Sequence, residues 1–254
     1  MKRLIYLSLA AMMVLAVSCK KDKPAAPKVP EGVVDMGIIM TREDGTTYKL
    51  YWAKSNLCES GLCANPEDYG DYYAWGETEP YYAAGHSQDN PCENWKVRED
   101  HPITGYNWAS YKWCNEPELT KYNTNSPYGK VDDKEVLDLE DDAARQTLGG
   151  KFRMPTDTEW KELTDRCTWR WTSLNGVNGR SVTATNGNSI FLPAAGCRIG
   201  LNLGYVGSYG GFWSSSLCTD NSSDAWYVYF SSGGVSRINN DRSYGLPVRP
   251  VWEE

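Results

Sequence analysis

Apolar and polar residues alternate through 33–53, first in Gly37-Ile38-Ile39-Met40 and then in Tyr48-Lys49-Leu50-Tyr51-Trp52, with Gly45 at the break. A period of two with a glycine between the runs predicts a β-hairpin. Across 57–128 no period holds, and Gly, Pro, Asn and Asp interrupt a stretch crowded with Tyr and Trp. That pattern predicts long ordered loops with short elements, which need cross-links or aromatic packing to stay in place. Helical spacing follows: Val136, Leu139, Ala143, Ala144 and Leu148 share one face, Asp132 or Asp133 is the expected cap, and Gly149-Gly150 is the stop. A second helix opens at Pro155-Thr156, where Thr156 and Glu159 form a capping box ahead of Trp160 and Leu163. From residue 168 onward short strands alternate with turns. The candidate strands are Trp169-Arg170-Trp171, Ser189-Ile190-Phe191-Leu192, Gly211-Phe212-Trp213-Ser214, 225–230 and 235–238. The turn signals are Asn175-Gly176, Asn178-Gly179, Asn186-Gly187 and Gly233-Gly234. Strands at both ends with two helices between them predict an α+β domain.

The first residues carry a different signal. Lys2 and Arg3 precede an apolar stretch, 4–17, that is too short to span a bilayer stably. It closes on Ala16-Val17-Ser18-Cys19, which resembles the lipobox of bacterial lipoproteins, with Ala16 where Leu is commoner. The expected organisation is a leader over 1–18, acylation of Cys19, a Pro- and Ala-rich charged tether over 19–31, and a domain over 32–254. The expected location is the bacterial envelope, lipid-anchored at the outer membrane on its surface or periplasmic face. Cys19-Lys20-Lys21-Asp22 faintly resembles an acidic surface-export tag.

Composition narrows the function. With 11 Trp and 17 Tyr against 4 Phe, the aromatic inventory favours rings with a polar handle, which suit half-buried sites and binding surfaces. A net charge of -7 argues against nucleic acid as a partner. The acids dominate as far as Asp165; from Arg166 onward Arg outnumbers Asp, and no Glu occurs before Glu253. Besides Cys19 the cysteines are Cys58, Cys63, Cys92, Cys114, Cys167, Cys197 and Cys218, an odd set without a Cys-x-x-Cys pair. Cys58 and Cys63 are the expected local disulfide.

Catalytic motifs are missing from the chain. It contains no serine-hydrolase elbow, P-loop or dinucleotide-binding glycine pattern. His86 and His101 stand among Asp89, Cys92, Glu99 and Asp100, types common in exposed loops, so no metal site is assigned there. The pairs Asp132-Asp133 and Asp141-Asp142 are expected on a solvated helix surface. The chain is therefore read as non-catalytic, without an identified cofactor; a structural calcium ion is left open.

Several motifs occur in a consistent order. They are the run 66–80 with Tyr72-Tyr73-Ala74-Trp75-Gly76-Glu77, then Asp141-Asp142-Ala143-Ala144-Arg145, then Gly149-Gly150-Lys151-Phe152-Arg153-Met154-Pro155-Thr156 with Glu159-Trp160. Further on come the run 186–196, Gly211-Phe212-Trp213-Ser214-Ser215-Ser216 and Val248-Arg249-Pro250-Val251. Together these resemble the Fibrobacter succinogenes major paralogous domain, frequent in lipoproteins of Bacteroides-like bacteria. The resemblance implies a C-type-lectin-like fold with a terminal-strand sheet and long ordered loops, related to formylglycine-generating enzymes and to variable proteins of diversity-generating retroelements. Function does not follow from the fold. The enzyme relatives use two late cysteines close together, whereas Cys197 and Cys218 are far apart in sequence. In the variable proteins, mutagenised Asn codons never yield Lys, Glu, Gln, Met or Trp. Residues 220–224 and 236–244 contain only permitted types, as an ordinary Ser/Asn-rich surface also does.

The C-terminal ribbon is the expected binding surface. Residues 226–230 alternate, so one set of side chains is expected inside and the other outside. Rigid rings among small polar groups resemble a paratope, and Arg237 and Arg242 offer cations for carboxylates or rings. The expected ligand-binding residues are Tyr205, Tyr209, Asp220, Asn221, Ser222, Ser223, Asp224, Tyr227, Tyr229, Ser236, Arg237, Ile238, Asn239, Asn240, Asp241, Arg242, Ser243 and Tyr244. Glu-Pro-Asn and Trp-Asn-Asp, the lectin calcium motifs, do not occur. The expected partner is a protein or a glycan, with a structural envelope component or a cysteine-dependent oxidase as the alternatives.

Overall fold

The computed structural model describes residues 29–81 and 103–254. The leader, Cys19 and most of the tether, together with His86, Asp89, Cys92, Glu99, Asp100 and His101, lie outside the described residues. The alternating run at the start forms strands β1 (Val33–Thr41) and β2 (Thr47–Ala53), paired antiparallel. The capping box opens a helix at Asp157–Arg166: Thr156 Oγ1 accepts from Glu159 N, and the Glu159 carboxylate accepts from Thr156 N. Strands β3 (Thr168–Leu174), β4 (Val177–Thr183) and β5 (Ser189–Pro193) make an antiparallel sheet. Asn175 and Gly176, both at positive φ, form the two-residue turn between β3 and β4. Strands β6 (Tyr209–Leu217), β7 (Asp224–Ser231) and β8 (Val235–Asp241) make a third sheet with β7 in the centre. The last strand, β9 (Val251–Glu253), returns to pair with β2 and with Phe152–Arg153, so both ends of the domain share one sheet. Among the described residues the fold is α+β, with two α-helices and several open antiparallel sheets joined by loops.

Two local expectations are corrected. The first helix spans only Ala143–Leu148, and its cap is Asp142. Asp132 is committed elsewhere, accepting from the backbone N–H of Tyr122, Asn123 and Lys134. Residues 134–138 run extended instead, Val136 bridging Ser216 with Leu137 N donating to Ser215 O, and Leu139–Asp141 form a single 3-10 turn before the helix. The helical spacing of Val136 and Leu139 therefore has no core behind it, and both are exposed. Asn178-Gly179 is not a turn but part of β4; a Cβ on Gly179 would lie 2.3 Å from Leu192 O, so this glycine serves close strand approach.

Three buried clusters hold the layers together. The first joins β1, β2 and the Asp157–Arg166 helix to one face of the β6–β8 sheet, through Trp52, Trp160, Phe212, Val228 and Phe230. The second covers the opposite face with Tyr73, Trp75, Trp213, Tyr227 and Leu246. The third is largely tyrosine: Tyr72, Tyr81, Tyr106 and Tyr111. Here the polar handles of the rings fasten the loops. Tyr72 donates to Ala195 O, Trp75 to Ser214 O, Tyr106 to Tyr72 O, Tyr111 to Trp75 O and Trp113 to Gly76 O, at 2.6–2.8 Å. Cys58–Cys63 is a disulfide, as expected. Phe would fill the same space but leave those carbonyls unpaired, which explains the bias toward Tyr and Trp.

Asp141 and Asp142 are buried, contrary to the solvated surface expected for them. Asp142 Oδ1 accepts from Arg145 N and Oδ2 from Met154 N, so Asp142 caps the helix from inside and ties it to the chain that follows, while Asp141 accepts from the Tyr122 hydroxyl and Lys121. Burial nevertheless pushes the Asp142 pKa from 3.8 up to about 6. A carboxyl with a raised folded pKa stabilises the fold fully below its unfolded value, and that contribution is lost as pH rises through the folded one. Between pH 4 and 7 the wild type should thus lose about 2 kcal/mol relative to Asp142→Asn, read as the change in the stability gap between them in urea titrations at the two pH values.

Candidate ligand-binding surface

The β6–β8 sheet supplies the frame. Expected alternation in β7 fails for a physical reason: both faces of this central strand are covered, with Val228 and Phe230 in one core and Tyr227 in the other. The free side chains therefore come from the sheet's margin. In register, Tyr229 stands opposite Gly211 and Ser236, and Tyr227 opposite Trp213 and Ile238. A Cβ on Gly211 would lie 2.4 Å from the Tyr209 hydroxyl, so the glycine lets the Tyr209 ring lie across the sheet. Tyr205, Tyr209 and Tyr229 then form a run of rings, with centroids 5.9 and 5.1 Å apart. Tyr205 is 67 % exposed and sits at φ 64°, a backbone region unusual for a bulky residue. Its carbonyl holds the turn by accepting from Tyr209 N and Ser208 Oγ. Ile238 is 39 % exposed, and Ile199, Leu201 and Val206 of the neighbouring hairpin segment are exposed as well.

The expected site residues divide by burial. Tyr205, Asp220, Ser236, Ile238 and Asn239 are exposed; Tyr209, Asn221, Ser223, Asp224, Tyr229, Arg237, Asn240, Asp241 and Tyr244 are half-buried. Ser222, Tyr227, Arg242 and Ser243 are buried and are corrected from ligand contacts to interior residues. Ser222 Oγ accepts from Thr124 N, and Ser243 Oγ donates to Asp241 Oδ1. Arg242, fully buried, donates to the Tyr111 hydroxyl and to the carbonyls of Lys121, Tyr122 and Ser222, and its guanidinium lies 4.8 Å from the Trp75 ring. Arg237 is already engaged by Asp157.

The remaining residues separate into two patches. One is the run of rings with Ser236 and Ile238. The other lies at the opposite end of the ribbon, about 17 Å along β7, where Asp224 and Asp241 stand opposite each other in register. Burial raises the pKa of both carboxyls. Asp241 accepts from Trp108 Nε1 at 2.9 Å, and Trp108 and Ser223 line a groove of about 310 Å3 with Cys114, Glu116, Pro117, Leu119 and Tyr128. Trp108 was not foreseen because it lies in the stretch without a period, where only tertiary contacts decide its place. Ile199, Leu201 and Val206 escaped notice because isolated aliphatics in a strand-rich region read as core.

Among the described residues, Asp138, Glu140 and Asp141 form a grouping with metal-ligand potential. The Lys121 ammonium lies 2.8, 3.3 and 2.5 Å from them and supplies the positive charge there itself. Cys114, Cys167, Cys197 and Cys218 are unpaired thiols, and burial pushes those of Cys167 and Cys197 up to about 11, away from the reactive thiolate.

A family model described as a domain of unknown function (DUF8237) matches residues 171–251, a span that runs from β3 to β9 and includes the ring patch and the β7–β8 ribbon. No curated protein and no solved structure matches the chain.

Proposed function

We propose that the chain is an envelope-anchored, non-catalytic binding protein with a C-type-lectin-like domain, and that its ring patch grips a protein ligand. The observation that carries this reading is the Tyr205–Tyr209–Tyr229 run beside exposed Ile238. Rigid aromatics next to small polar groups are the usual anchors of a recognition surface. The pairing of the first and last strands of the domain in one sheet and the ring-fastened loops support the lectin-like reading. The lipobox-like residues before Cys19 support anchoring at the outer membrane; among the described residues no helix is long and apolar enough to cross a membrane. If the ribbon is diversified as in the variable proteins it resembles, the exposed Ser236, Ile238 and Asn239 are the positions free to change, while Ser222, Arg242 and Ser243 are constrained by the interior.

The test uses fluorescently labelled chain on bacterial and host cells. Tyr205→Ala with Ile238→Ser should lower apparent affinity by at least about tenfold and leave Tm nearly unchanged, since both positions are exposed. Unaltered binding by a folded double variant would rule the patch out. Protease pretreatment of the cells should abolish binding; loss only after glycosidase treatment would make the ligand a glycan instead. For the anchor, Cys19→Ser should move the chain from the membrane fraction to the soluble one.

A further inference from the structure

A second cleft shares no residue with the ring patch. It opens between the tip of the disulfide loop, the end of the Ala143–Leu148 helix and the 78–80 turn, and has a volume of about 480 Å3, within the range of small-molecule sites. Its lining consists of Tyr73, Glu59, Glu79, Gln146, Pro80 and the hydroxyl residues Ser60, Thr78 and Thr147, with no basic side chain among the described residues.

Tyr73 is the informative member. It is 1 % exposed, and its hydroxyl has no hydrogen-bond partner among the described residues. The side chain is not free to turn away. Its ring is packed in the second core cluster, its carbonyl accepts from Trp213 Nε1 at 2.8 Å, and its backbone pairs with Leu246. The carboxylates acting on the phenol are Asp71 and Glu59, and Glu59 is a wall of the same cleft, which places the hydroxyl end toward it. Burial first, and those two charges after it, keep the phenol protonated. A buried hydroxyl left unpaired is costly to the fold, and the open polar space beside it is where a partner would come from.

The donor and acceptor balance identifies that partner. Two carboxylates, and an amide that already gives one of its two Nε2–H donors to Leu139 O, make the rim rich in acceptors. Among the described lining residues the only formal charges are negative and disfavour an anion, whereas an ammonium would meet the Glu79 carboxylate, and ligand hydroxyls would meet Tyr73 and the Ser and Thr side chains. We propose that this cleft binds a small hydroxyl-bearing amine, the chemistry of an amino sugar, with the Tyr73 hydroxyl and Glu79 among its contacts.

Calorimetric titration of the full chain in detergent with glucosamine, glucose and ethylamine tests this. Glucosamine should bind at least about tenfold more tightly than either glucose or ethylamine, which each carry half of the recognised chemistry. Glu79→Gln should weaken glucosamine about tenfold. Tyr73→Phe should weaken it similarly while holding or raising Tm, because the hydroxyl it removes has no partner in the fold. Equal binding of the three probes, no binding at millimolar concentration, or a Tyr73→Phe chain with higher Tm and undiminished affinity would each overturn the proposal; the last would mean that the hydroxyl meets only water. None of these results depends on the ring patch, whose cell-binding assay reports separately.

Discussion

Arg242→Met is expected to destabilise the domain by on the order of 4 kcal/mol, the sum of several buried acceptors losing their donor at about 1–3 kcal/mol each. Those acceptors are the Tyr111 hydroxyl and the carbonyls of Lys121, Tyr122 and Ser222. They belong to three separate stretches of loop, so one guanidinium ties together segments that make few regular contacts of their own. Its flat face also lies within 5.3 Å of the Tyr111 ring as well as near Trp75. Arg242→Lys should rescue only part of the loss, because an ammonium has three donors and no fork. Urea titration of the wild type and both variants gives the comparison; a loss below about 1 kcal/mol for the Met variant would mean that the loops are held by other means.

A comparable effect, about 3–5 kcal/mol, is expected for Arg153→Ala. Glu159 is fully buried, and Arg153 grips both of its oxygens at 2.7 and 2.5 Å while Tyr48 donates to Oε1. Burial opposes the Glu159 charge, but the Arg153 hydrogen bonds prevail and hold the carboxyl below its usual range. In the wild type this pair stabilises the fold above the ordinary carboxyl pKa and loses that contribution as pH falls through the lowered one. Without Arg153 the burial effect dominates, the carboxyl takes up a proton more readily, and the variant's deficit should shrink as pH falls toward 4. A deficit that stays constant from pH 7 to pH 4 would contradict the buried ion pair.

These two residues also mark what the amino-acid order discloses and what it hides. Thr156 and Glu159 announce a helix start through local spacing, and the helix begins there. The same Glu159 forms an ion pair with Arg153 that no spacing rule describes, because its partner arrives on the strand paired with β9. The hairpin around Gly45, the Asn175-Gly176 turn and the Cys58–Cys63 disulfide were legible because each depends on neighbours in sequence. The extended path of 134–138 was not, since its period matched a helix while the backbone of Glu135 and Leu137 bonds to β6. At the candidate surface, residue type singled out a stretch of chain but not which of its side chains face outward. Ser222, Arg242 and Ser243 look as polar as Ser236 and Asn239, and only the arrival of the 108–125 loops buries them.

The central claim is that the rings and the exposed part of β8 meet another molecule. Amide hydrogen exchange of the chain, alone and saturated with the ligand recovered through cell binding, tests it most directly. The account predicts added protection in 199–209 and 235–241, with little change in 33–53 or 168–193. Protection confined to those last segments, with 235–241 exchanging as before, would contradict it.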